Sequence, residues 1–302
     1  MRHRSPILFV LTLLIAAPAF SQATRSDMIV STEWLAQRLD GQVIVVEVGE
    51  KSDYGHGHIP SARLLERRSL LVRVDNIPNE VPPVAELEAL LTRLGVGDQS
   101  RVVFYSCEPL LATRAWFTFD YLGQGQRASV LNGGYARWIA EGRTITTDVP
   151  KFEPATFTAD PNRAALTTLS AMKAMVRGRR SLGKSLVMID ARPDMSYRGQ
   201  FAGAGVYRAG HIPGATNIYW QRNLTDLSDG ALFRSDDQLR ALYENAGVTK
   251  ETTVITYCRT GVEASMTYFV LRYLGFDPSL YDGSFVEWSG DEDTPVTSAG
   301  AR

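Results

Sequence analysis

Cysteine is scarce in this chain: only two of its 302 residues, Cys107 and Cys258, are cysteines. They can form one disulfide at most, so a small disulfide-stapled scaffold is excluded and the fold must rest on hydrophobic cores. An excess of positive charge is also lacking, because the formal net charge is −1. No overall basic field therefore indicates nucleic-acid binding, and an anion-binding site would have to be local.

Long apolar runs are absent after the first two dozen residues, so no later segment predicts a bilayer-spanning helix. The chain begins with basic MRHR, continues with apolar PILFVLTLLIAAPAF and then has small residues at Ser21 and Ala23. This order predicts a secretory signal peptide over residues 1–23, cleaved after Ala23. We therefore expect a periplasmic or secreted protein without membrane attachment. A retained N-terminal anchor is the alternative.

The rest of the chain contains three blocks that each occur twice. The pairs are DYGHGHIPSA (53–62) with YRAGHIPGA (207–215), RVVFYSCEPLLATRAWFTFDYLG (101–123) with TVITYCRTGVEASMTYFVLRYLG (253–275), and NGGYARW (132–138) with DGSFVEW (282–288). They recur in one order, at offsets of 153, 152 and 150 residues. Such nearly constant spacing indicates a tandem duplication.

Each copy has the pattern of a small α/β domain. Short apolar runs such as VIVVEV and LVMID suit strands buried on both faces, and helix-like stretches such as VAELEALLTRLG lie between such runs. This alternation predicts a mostly parallel sheet flanked by helices in each copy. We place the first domain at residues 24–149, a linker rich in Pro, Asp and Thr at 150–165, and the second domain at 166–302.

The second cysteine occupies a chemically suggestive position. The strand-like run TVITY leads directly into Cys258, and a short loop then precedes a helix-like stretch. Such a loop lies at the carboxyl end of a parallel sheet, where its N–H groups can form an anion-binding nest. With Gly261 permitting the turn and Arg259 adding positive charge, we expect this cradle to lower the pKa of the thiol.

A thiolate in such a cradle suits double displacement. Cys258 would take a sulfane sulfur from an anionic donor, hold it as a persulfide and pass it to an acceptor, without a histidine base. The alternative is that Cys258 is simply a small buried hydrophobe.

The repeated blocks resemble the two-domain rhodanese sulfurtransferases of the thiosulfate and 3-mercaptopyruvate type. The GHIPGA block, the strand–cysteine–loop–helix block and the DGSFVEW block carry this resemblance, which covers almost the whole mature chain. It implies two tandem rhodanese-like domains, of which the C-terminal one is catalytic and the N-terminal one is not. It also implies a small anionic donor, a thiophilic acceptor such as cyanide, a thiol or a protein, and no cofactor.

The resemblance also implies roles for individual residues. Cys258 falls on the persulfide-forming nucleophile, and the loop around it, taken as substrate-binding, comprises Arg259, Thr260, Gly261, Val262 and Glu263. Asp190 falls on an aspartate that orders the loop and its neighbouring arginines. Arg192 belongs to the same strand-end D-x-R block and is taken as substrate-binding, and Arg198 falls on the nearby stretch that supplies an anion-binding arginine in thiosulfate-using members. Surface ion pairing is the alternative for both.

The loop departs from the patterns known in the family, CRKGVT for thiosulfate and CGSGVT for 3-mercaptopyruvate. Thr260 stands in place of the lysine, and Glu263 stands in place of the final threonine. The arginine after the cysteine favours thiosulfate, whereas the added carboxylate weakens dianion binding, so the donor stays open. We hypothesise that Glu263 contacts a cationic or protein acceptor instead.

The first copy carries YSCEPLLA where the second carries YCRTGVEA. Ser106 takes the nucleophile's place, Cys107 lies one residue later, and Glu47 stands where the second copy has Asp190. This loop has no glycine, so we expect the first copy to be a non-catalytic scaffold that forms one wall of the cleft. Three interpretations of Cys107 remain: a buried inert side chain, a relay thiol, or a disulfide with Cys258.

Three other interpretations compete with a sulfurtransferase. A metal site at His56 and His58 lacks further ligand candidates. A cysteine phosphatase needs an arginine six positions after the cysteine, and Ala264 stands there. A non-enzymatic persulfide carrier remains the alternative to a sulfurtransferase.

Overall fold

The computed structural model describes residues 25–178, 185–225 and 230–298. The predicted signal peptide, residues 1–23, lies outside this part of the chain. Among the described residues, no helix has both the length and the apolar character needed to cross a bilayer.

The first domain is built on a five-stranded parallel sheet. Its strands are β1 (Ile29–Val30), β2 (Ile44–Gly49), β3 (Arg63–Glu66), β6 (Val102–Tyr105) and β7 (Ala128–Leu131), in the order β1-β7-β6-β2-β3. Every residue of β6 is buried, as expected for a central strand covered on both faces. The flanking helices are α1 (Thr32–Ala36), α2 (Lys51–His56), α3 (Val84–Arg93), α4 (Pro109–Tyr121) and α5 (Gly134–Ala140).

The second domain repeats this sheet with the same connectivity. Its strands are β8 (Leu166–Thr167), β9 (Leu186–Asp190), β10 (Thr216–Asn217), β11 (Thr253–Tyr257) and β12 (Pro278–Tyr281), in the order β8-β12-β11-β9-β10. Its helices are α6 (Leu169–Gly178), α7 (Asp194–Tyr197), α8 (Asp236–Glu244), α9 (Val262–Tyr273) and α10 (Ser284–Gly290). The predicted pair of mostly parallel α/β domains is confirmed.

Shorter elements connect these parts. Single-turn 3₁₀ helices span Arg67–Ser69, Gly125–Arg127, Arg163–Ala165 and Trp220–Asn223. Residues 147–162, between the two domains, are neither helical nor in a strand. In the first domain an antiparallel hairpin joins β4 (Val72–Val74) to β5 (Ile77–Glu80). Asp75 and Asn76 both have positive φ, as in the tight turns that match strand twist.

Helices α4 and α9, which follow the central strands of the two sheets, pack against each other across the domain boundary. Trp116 of α4 meets Phe269 of α9 edge to face with ring centroids 5.0 Å apart, and Phe117 meets Tyr268 at 4.8 Å. The buried apolar residues of both helices belong to one hydrophobic cluster. The two domains therefore share a core and are not merely tethered.

We expect Phe269→Ala to lower the free energy of unfolding by about 3–5 kcal/mol, because it leaves a cavity in this shared core. The ring is fully buried and contacts Trp116 and Phe233. Ile139→Ala removes a side chain that is 49% exposed, and should change the same quantity by less than about 0.5 kcal/mol. Urea unfolding followed by tryptophan fluorescence measures both, and equal losses would contradict the shared core.

Candidate active site

Cys258 lies at the carboxyl end of β11, where the chain turns into α9, and it is 1% exposed. The backbone N–H groups of Ala264, Thr260 and Glu263 donate toward its sulfur, which forms the predicted cradle. These donors lower the thiol pKa, but burial, followed by the negative charge of Glu263, outweighs them and raises the pKa of Cys258 to about 12. The net shift is the opposite of our expectation, because the cradle is shielded from water.

The third repeated block forms the floor of this loop. The Cys258 N–H donates to Ser284 Oγ at 3.3 Å, and the N–H groups of Phe285 and Val286 donate to the carbonyl oxygens of Cys258 and Arg259, both at 3.0 Å. Ser284 adopts a φ of +52°, which is uncommon outside glycine. Backbone strain of this kind persists only where surrounding contacts determine it, so this segment holds the loop in one conformation.

Gly261 is required by both its conformation and its surroundings. It begins α9 with a φ of +85°, in the left-handed region that favours glycine. A Cβ atom there would lie 2.7 Å from Asp282 Oδ1 and 3.2 Å from Arg114 Nη1. Only glycine fits, because the first domain approaches the loop at this point.

A buried arginine stands beside the thiol. Arg192, 2% exposed, donates from Nε to Asp190 Oδ1 at 2.9 Å and from Nη2 to the Gly210 carbonyl at 2.8 Å. Burial lowers its pKa, but the Asp190 charge, together with Tyr257 and Cys258, raises it overall. Its buried Nη1 has no hydrogen-bond partner among the described residues. A fixed cation with a free donor suits a bound anion.

Glu263 also contacts the thiol, from the first turn of α9. Burial and then the charge of Asp190 raise the pKa of its carboxyl group, whereas Arg259, the Cys258 contact and Arg192 partly offset this. The site therefore holds both a carboxyl group and a buried cation near one sulfur atom. Val262, half-buried, precedes it at the start of the helix.

Arg259 faces away from the floor of the cradle. Its Nη1 donates to the Ala204 carbonyl at 2.9 Å, and the side chain lines a cleft of about 810 Å³. Arg73 and Asp75 of the β4–β5 hairpin line the same cleft from the first domain, and Glu287 of α10 lines it from the second. The mouth of the site is thus built from both domains and carries charges of both signs.

The first-copy loop does not form a comparable cradle. Ser106 is buried, and its Oγ accepts from the Glu108 N–H at 3.0 Å. Pro109, which has no N–H, opens α4. Cys107 is exposed, so the interpretation of a buried side chain is wrong. Both cysteines are free thiols here, and no group of three or more metal-ligating side chains occurs among the described residues.

Comparison with known proteins agrees with this geometry. A family model described as the rhodanese-like domain matches residues 31–141 and 172–291. The chain belongs to the rhodanese family.

Individual relatives cover nearly the whole of this rhodanese. It is 32% identical to the sulfur carrier protein TtuD of Thermus thermophilus over 89% of this chain and 96% of that protein. It is 33% identical to a thiosulfate sulfurtransferase of Azotobacter vinelandii over 84% of this chain and 91% of that protein. The 3-mercaptopyruvate sulfotransferase SseA of Escherichia coli has the same fold, with a TM-score of 0.73 and 24% sequence identity. The match covers 85% of this chain and 98% of that protein.

Most of the predicted site residues of this rhodanese come together, and one does not. Arg192 lies beside Cys258 with Asp190, whereas the side chain of Arg198 is 53% exposed and pairs with Asp194 at 2.7 Å. Arg198 therefore forms the surface ion pair that we kept as its alternative. Thr260 is buried, and its hydroxyl accepts from Asn79 Nδ2 of the first domain at 2.9 Å.

Sequence reasoning missed four residues that contact the loop or its floor. They are Asn79 and Arg114 of the first domain and Asp282 and Ser284 of the second. A signal existed in the repeat itself: in the third block the second copy reads DGS where the first reads NGG. Positions at which two copies of one framework differ are those where the copies can have diverged in function.

We expect Gly261→Ala to destabilise the protein by about 2–5 kcal/mol, the sum of left-handed strain and overpacking against Asp282. Gly142→Ala is the matched control, because Gly142 has a φ of +66° with no atom within 4 Å of its added Cβ. Gly142→Ala should lower the free energy of unfolding only by the backbone strain, about 1–2 kcal/mol. Urea unfolding separates the two, and equal costs would show that the close approach at Gly261 is unimportant.

Proposed function

We propose that this sulfurtransferase moves sulfane sulfur from thiosulfate, or a related anionic donor, to cyanide or a thiol through a persulfide on Cys258. The observation that carries the proposal is a cysteine in a backbone N–H cradle, close enough to buried Arg192 for their charges to interact, while Nη1 of that arginine has no partner among the described residues. A donor anion would satisfy that orphaned donor group. The curated thiosulfate sulfurtransferases at about 30% identity support the same donor class.

The two half-reactions balance as follows. The sulfur of Cys258 attacks the outer sulfur of thiosulfate, a new S–S bond forms, and the old S–S bond breaks with its electron pair leaving on sulfite. The thiol proton leaves with sulfite or to water. Cyanide carbon then attacks the outer sulfur of the persulfide, giving thiocyanate and restoring Cys258. Negative charge resides on the outer sulfur of the persulfide and develops on the sulfur of Cys258 as the thiol loses its proton, and the N–H cradle can stabilise the charge in both cases.

A second candidate function is persulfide delivery to a protein acceptor, with slow turnover of small molecules. It is favoured by the 32% identity to a relative named as a sulfur carrier protein. 3-Mercaptopyruvate also remains as an alternative donor. We further propose that residues 1–23 direct export to the periplasm or the medium and that residues 24–149 and 166–302 are the two domains, on the sequence evidence given above.

Intact-mass measurement after incubation with thiosulfate, and separately with 3-mercaptopyruvate, tests the proposal. We expect one added sulfur atom, mapped to Cys258 and discharged by cyanide. Cys258→Ser should abolish both the adduct and turnover, and Cys107→Ser is the matched control that should retain them. Absence of the adduct with both donors would overturn the proposal. A stable adduct without cyanide turnover would favour the carrier.

The raised pKa of Glu263 makes donor binding depend on pH. The carboxyl group is neutral below that pKa and charged above it, so it repels a dianion only on the alkaline side. We expect the KM for thiosulfate to increase as pH rises through this pKa. Glu263→Gln, neutral throughout, should remove the dependence and lower KM by about tenfold at alkaline pH, equivalent to about 1.4 kcal/mol.

Steady-state kinetics across pH, with Glu263→Thr as a second neutral variant, measure this effect. A wild-type KM that does not vary with pH would contradict it. The donor preference of Glu263→Thr also tests whether Glu263 contacts the acceptor instead. If the variant changes the proportion in which thiosulfate and 3-mercaptopyruvate are used but leaves the KM for the acceptor unchanged, the acceptor hypothesis is removed.

A further inference from the structure

Asp282, in the third block of the second domain, is bound by the first domain through both of its carboxylate oxygens. Oδ1 accepts from Arg114 Nη1 at 2.8 Å, and Oδ2 accepts from the Val81 N–H at 2.6 Å. The Arg114 side chain is fully buried and that of Asp282 is 8% exposed. Two buried charges that satisfy each other across a domain boundary have little freedom to move.

Asp282 connects in turn to the reactive loop. It lies immediately before the segment whose Ser284 hydroxyl and following N–H groups bind the backbone of Cys258 and Arg259. It also packs directly against Gly261, on the other side of the loop. A shift of Asp282 would therefore move both ends of the loop.

A second contact joins the hairpin of the first domain to the same loop. Asn79 donates from Nδ2 to Thr260 Oγ1 at 2.9 Å, and its carbonyl accepts from Arg114 Nη2 at 2.8 Å. Thr260 also provides one of the N–H groups that face the sulfur of Cys258. Arg114 thus binds Asp282 through Nη1 and Asn79 through Nη2.

The duplicated half of the molecule provides an internal comparison. At the offset of the repeat, Phe233 corresponds to Val81, and its N–H donates to Asn132 Oδ1 at 2.9 Å, just as Val81 binds Asp282. There Met266 takes the position of Arg114, and Asn132 takes that of Asp282. The ion pair is therefore present only beside the loop that carries the predicted nucleophile.

Asn79 shows the same asymmetry. Its equivalent in the second copy is Ala231, and both have positive φ, +66° and +53°. The backbone conformation is shared, but only Asn79 has an amide that reaches a loop. The fold therefore tolerates Met, Asn and Ala at these three positions, and it carries Arg114, Asp282 and Asn79 only where they support Cys258.

We propose that the first domain positions the Cys258 loop, with Arg114 and Asn79 as positioning residues that act through Asp282 and Thr260. None of these four needs to touch the transferred sulfur. Their contacts keep the loop closed over Cys258 and its N–H groups aimed at the sulfur. The inference rests on the proposed function only for its effect on turnover.

The test uses variants that copy the other half of the molecule. Arg114→Met with Asp282→Asn reproduces the Met266 and Asn132 pair without leaving a buried charge unpaired. Asn79→Ala reproduces Ala231 and removes a single hydrogen bond, so it serves alone if the double variant does not fold.

The matched control is Asp120→Asn, which weakens another contact between the same two helices. Asp120 accepts from the Tyr268 hydroxyl at 2.8 Å and lies 3.4 Å from Arg272. It is about 9 Å along α4 from Arg114, well away from the loop.

Two measurements are made below the unfolding transition of every variant. The first is the rate of alkylation of Cys258 by iodoacetamide, followed by peptide mass mapping so that Cys107 is counted separately. The second is the rate of persulfide formation with thiosulfate. Loosening the loop exposes a buried thiol and disorders its cradle, so the two rates should change in opposite directions.

We expect alkylation of Cys258 to become about tenfold faster in the double variant and severalfold faster in Asn79→Ala, while persulfide formation slows by about tenfold or more. Asp120→Asn should match the wild type in both. The proposal would be overturned if Cys258 in the loop variants were alkylated at the wild-type rate. It would also be overturned if Asp120→Asn accelerated this alkylation equally. If the wild type forms no persulfide, the proposed function fails, and the alkylation rates still decide the positioning role.

Discussion

The buried ion pair between Arg114 and Asp282 is the constraint on which the arrangement of this molecule depends. Its atoms lie 2.8 Å apart across the domain boundary. Two charges removed from water are tolerated only when each satisfies the other, so the pair is complete only in the docked protein. Because Asp282 also supports the reactive loop, docking of the domains and formation of the site become a single event. The shared core of α4 and α9 supplies the apolar surface that drives this docking.

The same burial explains the electrostatics of Cys258. Exclusion of water raises the pKa of the thiol to about 12, so the free cysteine is stored in its neutral form. The N–H donors and Arg192 act more strongly in a dry site than they would in water, and they favour negative charge on whichever sulfur is present. An anion that paired with Arg192, as we propose for the donor, would change this balance locally, and the reactivity of Cys258 would then depend on occupancy of the site.

Much of the fold followed from the sequence, because parallel strands and their loops are determined by local patterns. The repeated blocks predicted two equivalent sheets, and the strand before Cys258 predicted its loop at the carboxyl edge. The ion pair was not predictable, since Arg114 and Asp282 are 168 residues apart and nothing in their repeated blocks indicates that these two side chains meet. The direction of the thiol pKa shift also escaped prediction, because desolvation depends on packing. Arg198 shows the opposite case. It is close to Arg192 in the sequence, but its side chain lies at the surface and not in the site.

Duplication places one framework around two loops whose surroundings differ. Beside the loop of the first copy, Met266 of the second domain takes the position of Arg114. The residues around Ser106 and Cys107 there line an apolar cavity of about 240 Å³. Beside the Cys258 loop, Arg114 instead binds Asp282 and the hairpin residue Asn79. A symmetric pair of sites would need a buried cation from each domain facing the other, and each would carry its own desolvation cost. Placing the buried ion pair beside one loop avoids the second desolvation cost and leaves the surroundings of the other loop apolar.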